Sequence, residues 1–195
     1  MKEWAIKTVS KIYAFWTRLY NKGERKKYSN IKLKKYNGLE LPEAAWSGYI
    51  TFKRLVWQED TAWMLWDVIS IPEAVIARGG DDCDGFANLG HSFFGDRITV
   101  GKNAYVFQGL ASLIFTKFPY HMIAIYKCGM LGKYITISNQ FLFYHADLNA
   151  LVAHYDNRYG KEKLVRYLSM FTINTKGDIY FSHLVDLKKE GVYHG

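Results

Sequence analysis

The stretch Gly79-Gly80-Asp81-Asp82-Cys83-Asp84-Gly85-Phe86-Ala87 joins a glycine turn, three carboxylates and a cysteine to the start of an apolar run. Two glycines free the backbone for a tight turn, including one with φ > 0. Asp81 or Asp82 can then cap a helix that continues through Phe86, Ala87, Leu89 and Phe93-Phe94 and stops at Gly95. Cys83 falls at that helix N-terminus, where unpaired N–H groups and the positive end of the helix dipole favour a thiolate over a thiol. Asp81, Asp82 and Asp84 oppose this effect, so a cation has to come from elsewhere in the chain, and a histidine is the natural supplier.

Downstream, Tyr120 to Lys127 and Lys133 to Gln140 are rich in β-branched and aromatic residues, and the segment between them is short and bracketed by Gly129 and Gly132. The two runs read as strands of a hairpin, with His121 opening the first and Asn139 ending the second. Antiparallel pairing brings both to one end of the ribbon. A cysteine at a helix start, a strand-borne histidine and an amide on the neighbouring strand supply the nucleophile, base and orienting group of covalent catalysis.

In this set the chain resembles the bacterial transglutaminase-like cysteine proteases, within the wider papain-like group. That family's nucleophile segment runs roughly Trp…Pro-x-Glu…Gly-Asp-Cys-Glu/Asp-Asp-φ-Ala, matched here by Gly80, Asp82, Cys83, Asp84 and Ala87, with Pro72 followed directly by Glu73 in place of Pro-x-Glu. Its histidine opens a strand like His-Ala-Val-Leu, matched by His121-Met122-Ile123-Ala124, and its third member lies in a Leu-Asp-Asn-Gln-like segment, matched by Ile137-Ser138-Asn139-Gln140. The likeness covers roughly residues 57 to 141. The chain departs from the family at the tryptophan, which is farther upstream as Trp63 or Trp66, and at Gly85, where relatives commonly carry a second carboxylate. Some relatives bind calcium through such carboxylates, and the glycine argues against calcium here.

The resemblance implies an α+β, transglutaminase/papain-like fold: a helical half packed on an antiparallel β-sheet, with the nucleophile at a helix N-terminus and the active cleft between the halves. It implies a thiol hydrolase of peptide or other amide bonds with Cys83, His121 and Asn139 as the catalytic set. The oxyanion would be met by the Cys83 backbone N–H and by a side chain from upstream, for which Gln58, Trp63 and Trp66 are candidates. The substrate would be a protein or peptide. An acyl transferase using the same thioester is the alternative, as is a binding module without catalysis.

Each of these residues also has an ordinary role. Free cysteines are usually small buried hydrophobes, and Cys128 reads as one. A strand histidine is often satisfied by a backbone carbonyl, and asparagine is common in turns after strands. Cys83 is set apart by its three aspartates, since burying a thiol among them is costly without partners.

The 195 residues fit one domain with a full core, and 49 % hydrophobic and 17 % aromatic content excludes a disordered chain. Two cysteines make no disulfide framework. The net charge of +8 is uneven: residues 1–36 hold 11 of the 26 lysines and arginines with only Glu3 and Glu24 against them. This divides the chain into a basic arm, 1–36, and a nearly neutral catalytic domain, 37–195. Within the arm Ile6, Val9, Ile12-Tyr13, Trp16 and Leu19-Tyr20 recur at helical spacing, with Lys2, Lys7, Lys11, Arg18 and Lys22 on other faces. Such a helix fits contact with an anionic membrane or nucleic acid, but in a globular protein the apolar stripe ordinarily packs on the domain. Lys7 and Lys11 break what a signal peptide would keep apolar, and no other stretch is long and apolar enough to span a bilayer, so cytoplasmic residence is expected.

The remaining elements are expected as a helix near Pro42 to Trp46, another over 60–66, one from Pro72 to Gly79, strands at 98–100 and 104–116 with a bulge at Gly109, a strand at 141–144, a helix capped by Asp147, and a last strand at 179–184. His91, His145, His154 and His183 match no metal-ligand spacing, and no phosphate-binding glycine loop is present, so neither metal nor cofactor is expected.

Overall fold

A computed structural model describes residues 2–58, 68–116, 120–159 and 164–192. The expected helix over 60–66, with Trp63 and Trp66, lies outside the described residues. The elements run α1 (Glu3–Lys27), α2 (Pro42–Lys53), β1 (Val56–Trp57), α3 (Pro72–Arg78), β2 (Gly80–Asp81), α4 (Cys83–Phe94), β3 (Arg97–Val100), β4 (Asn103–Phe115), β5 (His121–Lys127), β6 (Tyr134–Ser138), β7 (Phe141–His145), α5 (Leu148–Tyr159), β8 (Val165–Ile173) and β9 (Ile179–Asp186). The class is mixed α+β, with five helices and a mostly antiparallel sheet among the described residues.

Seven strands form one antiparallel sheet in the order β7-β6-β5-β4-β8-β9, with β3 paired to the early part of β4. β4 is long enough to serve three neighbours. Its N-terminal residues pair with β3, and its C-terminal half lies between β5 and β8. The ladder with β5 shifts between Phe107 and Gly109, the bulge expected at that glycine, whose φ of 143° suits a residue without Cβ.

The sheet is a middle layer. Met122, Ala124, Tyr126, Ile135 and Ile137 pack on one face with Phe86, Leu89 and Phe93 of α4, with Trp46 and Tyr49 of α2, and with Ala14 of α1. Ile123 and Ile125 point the other way and pack with Leu151, Val152 and Tyr155 of α5, together with Leu187 and Val192. α1 to α4 form a helical layer on one face of the sheet, and α5 covers the other. The alternating side chains of β5 are apolar on both faces, and a strand buried on both sides requires a cover on each.

Residues 1–36 share this core. α1 packs on β8 and β9 through Ile6, Ser10, Ala14, Thr17 and Asn21. Ser10 Oγ lies 2.6 Å from Ser169 Oγ, Arg18 donates to the Ile179 carbonyl at 2.9 Å, Asn21 donates to the Ile69 carbonyl at 3.0 Å, and Arg25 pairs with Asp178 at 2.6 Å. The helix rests on the domain, but the buried stripe is not the apolar one expected. It is a stripe of small and polar residues, whose short side chains let the helix come close enough for hydrogen bonds to β8 and β9.

Candidate functional site

Three local features put Cys83 where the sequence suggests. Pro72 opens α3, and Gly79 closes it in the left-handed region at φ 77°. Gly80 then runs beside β1, paired with Val56, and a Cβ at Gly80 would lie 1.9 Å from the Val56 carbonyl oxygen, so only glycine fits. Asp82 is the N-cap of α4, its carboxylate accepting from the Asp84 N–H at 3.1 Å, which makes Cys83 the first helical residue.

The carboxylates of Asp81, Asp82 and Asp84 approach within 4.8 Å of one another. Each is engaged by the protein. Asp81 accepts from the Asp82 N–H at 2.9 Å and pairs with Arg78 at 3.3 Å, and Asp84 accepts from the Tyr13 hydroxyl of α1 at 2.8 Å. Gly85 gives Asp81 its place, since a Cβ there would meet the Asp81 Cβ and Cγ at 2.6 Å. The glycine that departs from the family pattern is thus the residue on which the first carboxylate rests.

Cys83 reaches the sheet where β5 and β6 part. The last pair of their ladder is Ala124 with Ile137, and beyond it the Met122 N–H donates to Cys83 Sγ at 3.4 Å. The thiol thus sits beside the backbone one residue from His121. Cys128 is buried in the core, and neither cysteine is in a disulfide.

The ring of His121 is on the α5 face, 5.3 Å from the Tyr159 ring and 5.8 Å from the Tyr155 ring. Its Nε2 hydrogen-bonds to Ser138 Oγ at 2.7 Å, both groups buried. Sequence reasoning chose Asn139 for that role, and strand parity explains the difference. Continued one step, the register that sets Ala124 against Ile137 puts Ser138 opposite Ile123, on the face His121 shares, and a second step puts Asn139 opposite Met122, on the other face. Asn139 instead turns the chain into β7 in the left-handed region at φ 50°. The signal for Ser138 was in the sequence: Thr136 and Ser138 are the polar members of an alternating strand.

The site's electrostatics also differ from expectation. Burial first, and then the Arg158 guanidinium, hold the His121 imidazole down to about 3, so the ring is neutral in the physiological range. No imidazolium is supplied to Cys83. Tyr159 is pushed up to about 12, by burial first and then by the negative charge of Cys83 in its ionised form. Arg158, Tyr155 and Tyr159, all on α5, went unnoticed in the sequence because nothing there places that helix across the sheet from α4.

Of the oxyanion candidates, Gln58 runs alongside the nucleophile segment, its N–H donating to the Asp81 carbonyl at 2.9 Å, with its side chain exposed. Next to the β6–β7 turn a cavity of about 540 Å³ is lined by Trp46, Ile50, Arg54, Leu55 and Gln140, among others. Gln140 closes one side of it, its amide donating to the Leu55 carbonyl at 2.7 Å. Compared with protein-family models, curated proteins and solved structures, the chain matches none.

Proposed function

We propose that the protein is a thiol hydrolase of amide bonds in a transglutaminase/papain-like fold, with Cys83 as nucleophile, His121 as general base and then acid, and Ser138 in the orienting role that sequence gave to Asn139. The observation that carries the reading is the convergence of Cys83, at the first turn of α4, on the backbone beside His121, whose Nε2 is held by Ser138. A hydroxyl on Nε2 fixes the ring and leaves Nδ1 as the nitrogen for proton transfer.

Because the imidazole is neutral, the reaction starts from thiol and imidazole rather than from an ion pair. The thiol proton passes to His121 as the sulfur–carbon bond forms, and the same proton goes to the leaving amine as the carbon–nitrogen bond breaks. Water then attacks the thioester, giving its proton to the ring, and the acid leaves with Cys83 restored. The Cys83 N–H at the helix start is the backbone donor for the oxyanion. An amine in place of water would make the same site a transferase.

A second reading has its own support. The burial of His121 and its bond to Ser138 suit a satisfied core histidine, which would leave a binding module with an unreactive thiol. The test is alkylation of the two cysteines by iodoacetamide, located by mass spectrometry, together with release from a peptide-amide substrate library. Cys83 should be the reactive thiol, Cys83→Ser should abolish release, and His121→Ala should reduce it by about 10²–10⁴. Equal alkylation of Cys83 and Cys128, with no change in His121→Ala, would leave only the binding module.

A further inference from the structure

α1 is oriented against the usual rule for an amphipathic helix. Its inner stripe is Ile6, Ser10, Ala14, Thr17 and Asn21, whereas Trp4, Val9, Ile12, Phe15, Leu19 and Tyr20 are 45–67 % exposed on the outer side. At 100° per residue, Ile12 and Leu19 lie almost opposite the buried stripe, with Trp4 and Phe15 to one side and Val9 and Tyr20 to the other. Scattered exposed apolar side chains need no explanation, but a contiguous band along a helix of 25 residues, roughly 37 Å long, does.

The charge around this band selects its occupant. Lys11 and Lys22 border it along the Trp4 side, Lys2 and Lys26 stand at its ends, and all four are exposed. The segment 1–36 carries 11 basic residues against two acidic ones, so a second copy laid face to face would set two strongly positive surfaces together. Nucleic acid would want cations at the centre of the face, where Ile12 and Leu19 stand. An apolar centre with aromatic rings and a lysine border suits the boundary of an anionic bilayer, where rings enter the headgroup region and lysine stems reach its phosphates.

We propose that the outer face of α1 is a docking surface for anionic lipid membrane, on which the helix lies flat. Hydrogen bonds and ion pairs from its inner face to β8, β9 and Ile69 keep it parallel to the domain surface, and no helix among the described residues is long and apolar enough to cross a membrane. The proposal does not depend on the chemistry at Cys83. It does set that chemistry near the bilayer, because Tyr13 on the same helix bonds Asp84 and its ring lies 6.3 Å from that of Tyr120, the neighbour of His121.

The test is flotation of the full chain with phosphatidylcholine vesicles, with and without about 30 % phosphatidylglycerol. The protein should float with the anionic vesicles, and about 0.5 M salt should weaken the binding. Ile12→Glu/Leu19→Glu should reduce affinity at least about tenfold with the melting temperature unchanged, since both side chains point away from the core. Lys11→Gln/Lys22→Gln should reduce affinity and flatten the salt dependence while leaving the apolar band intact. Failure to float with anionic vesicles would overturn the proposal, as would binding indifferent to the glutamate pair. Self-association without lipid that the glutamate pair abolishes would assign the face to a second copy, and retention of duplex DNA lost in both variants would assign it to nucleic acid.

Discussion

Lowering the pH from 7 to 5 should cost the fold about 4 kcal/mol through two buried histidines. His121 is 5 % exposed and held down to about 3, by burial first and then by Arg158; His145 is 6 % exposed and held down to about 4, by burial first and then by His154. In the unfolded chain both rings titrate near ~6.5. The folded values are depressed, so the unfolded chain binds protons that the folded chain refuses. The stability is complete above ~6.5 and is lost as the pH falls towards the two folded values. Each histidine then costs up to about 1.4 kcal/mol per pH unit, or about 2 kcal/mol at pH 5, a large part of a typical ~5–15 kcal/mol. Burial lowers His91 and His154 as well, which steepens the loss.

The window from pH 7 to 5 isolates these rings, since ordinary carboxylates titrate near ~4. Urea unfolding followed by tryptophan fluorescence at half-unit steps gives the slope directly, with a constant m confirming that only stability changes. His145→Asn, which keeps a polar side chain beside Thr136, should make the loss between pH 6 and 5 about 1 kcal/mol smaller than in the parent. Stability flat to within about 0.5 kcal/mol from pH 7 to 5 would refute the reasoning, as would a His121 ring resonance titrating above about 6.

Two further outcomes follow from packing. Gly85→Ala should destabilise by about 1–3 kcal/mol and disturb the Asp81–Arg78 pair, because the new methyl would enter the space of the Asp81 side chain; an unchanged melting temperature, measured with Cys83 alkylation in the same samples, would show that Asp81 moves aside freely. A chain starting at Asn37 should lose cooperative unfolding and near-ultraviolet dichroism, because α1 supplies Ile6 and Ala14 to the core and Ser10 to β8. A well-folded truncated protein would show the helix to be an accessory arm.

Local chemistry in the sequence was legible where it acts within a few residues. Asp82 capping α4, Gly79 and Gly95 ending helices, Asp147 accepting from the Ala150 N–H at 2.8 Å, and the bulge at Gly109 all stand where their residue types place them. What escaped depends on contacts distant in sequence. Leu164, Leu168 and Phe171 continue an apolar pattern at four- and three-residue steps, yet β8 is a strand because β4 and β9 flank it. α1 shows the limit most clearly. Periodicity found its two faces correctly but could not tell which meets the protein, because the buried Ser10, Thr17 and Asn21 find hydrogen-bond partners only in the distant Ser169 and Ile69. The orienting group of His121 was missed by a single residue, and in a strand one residue is the difference between faces.

The burial of His121 links the proposed chemistry to the acid sensitivity. An exposed histidine beside three carboxylates would be protonated at neutral pH and could pair with a thiolate, but it would then be unable to take the proton of a thiol. Beneath Tyr155 and Tyr159 and tied to Ser138, the ring is kept uncharged by the loss of water, and a ring held down to about 3 is a weak base, so in the proposed chemistry it takes the thiol proton only in concert with sulfur–carbon bond formation. The same desolvation makes protonation expensive, so the fold loses stability as the pH falls below about 6.5. Activity and stability should therefore respond differently to His121→Gln, which keeps a hydrogen-bonding group near Ser138 without a titrating ring. The acid slope should become shallower while the ability to deprotonate Cys83 disappears, and a variant that kept both the slope and the alkylation rate of Cys83 would show that the ring performs neither task.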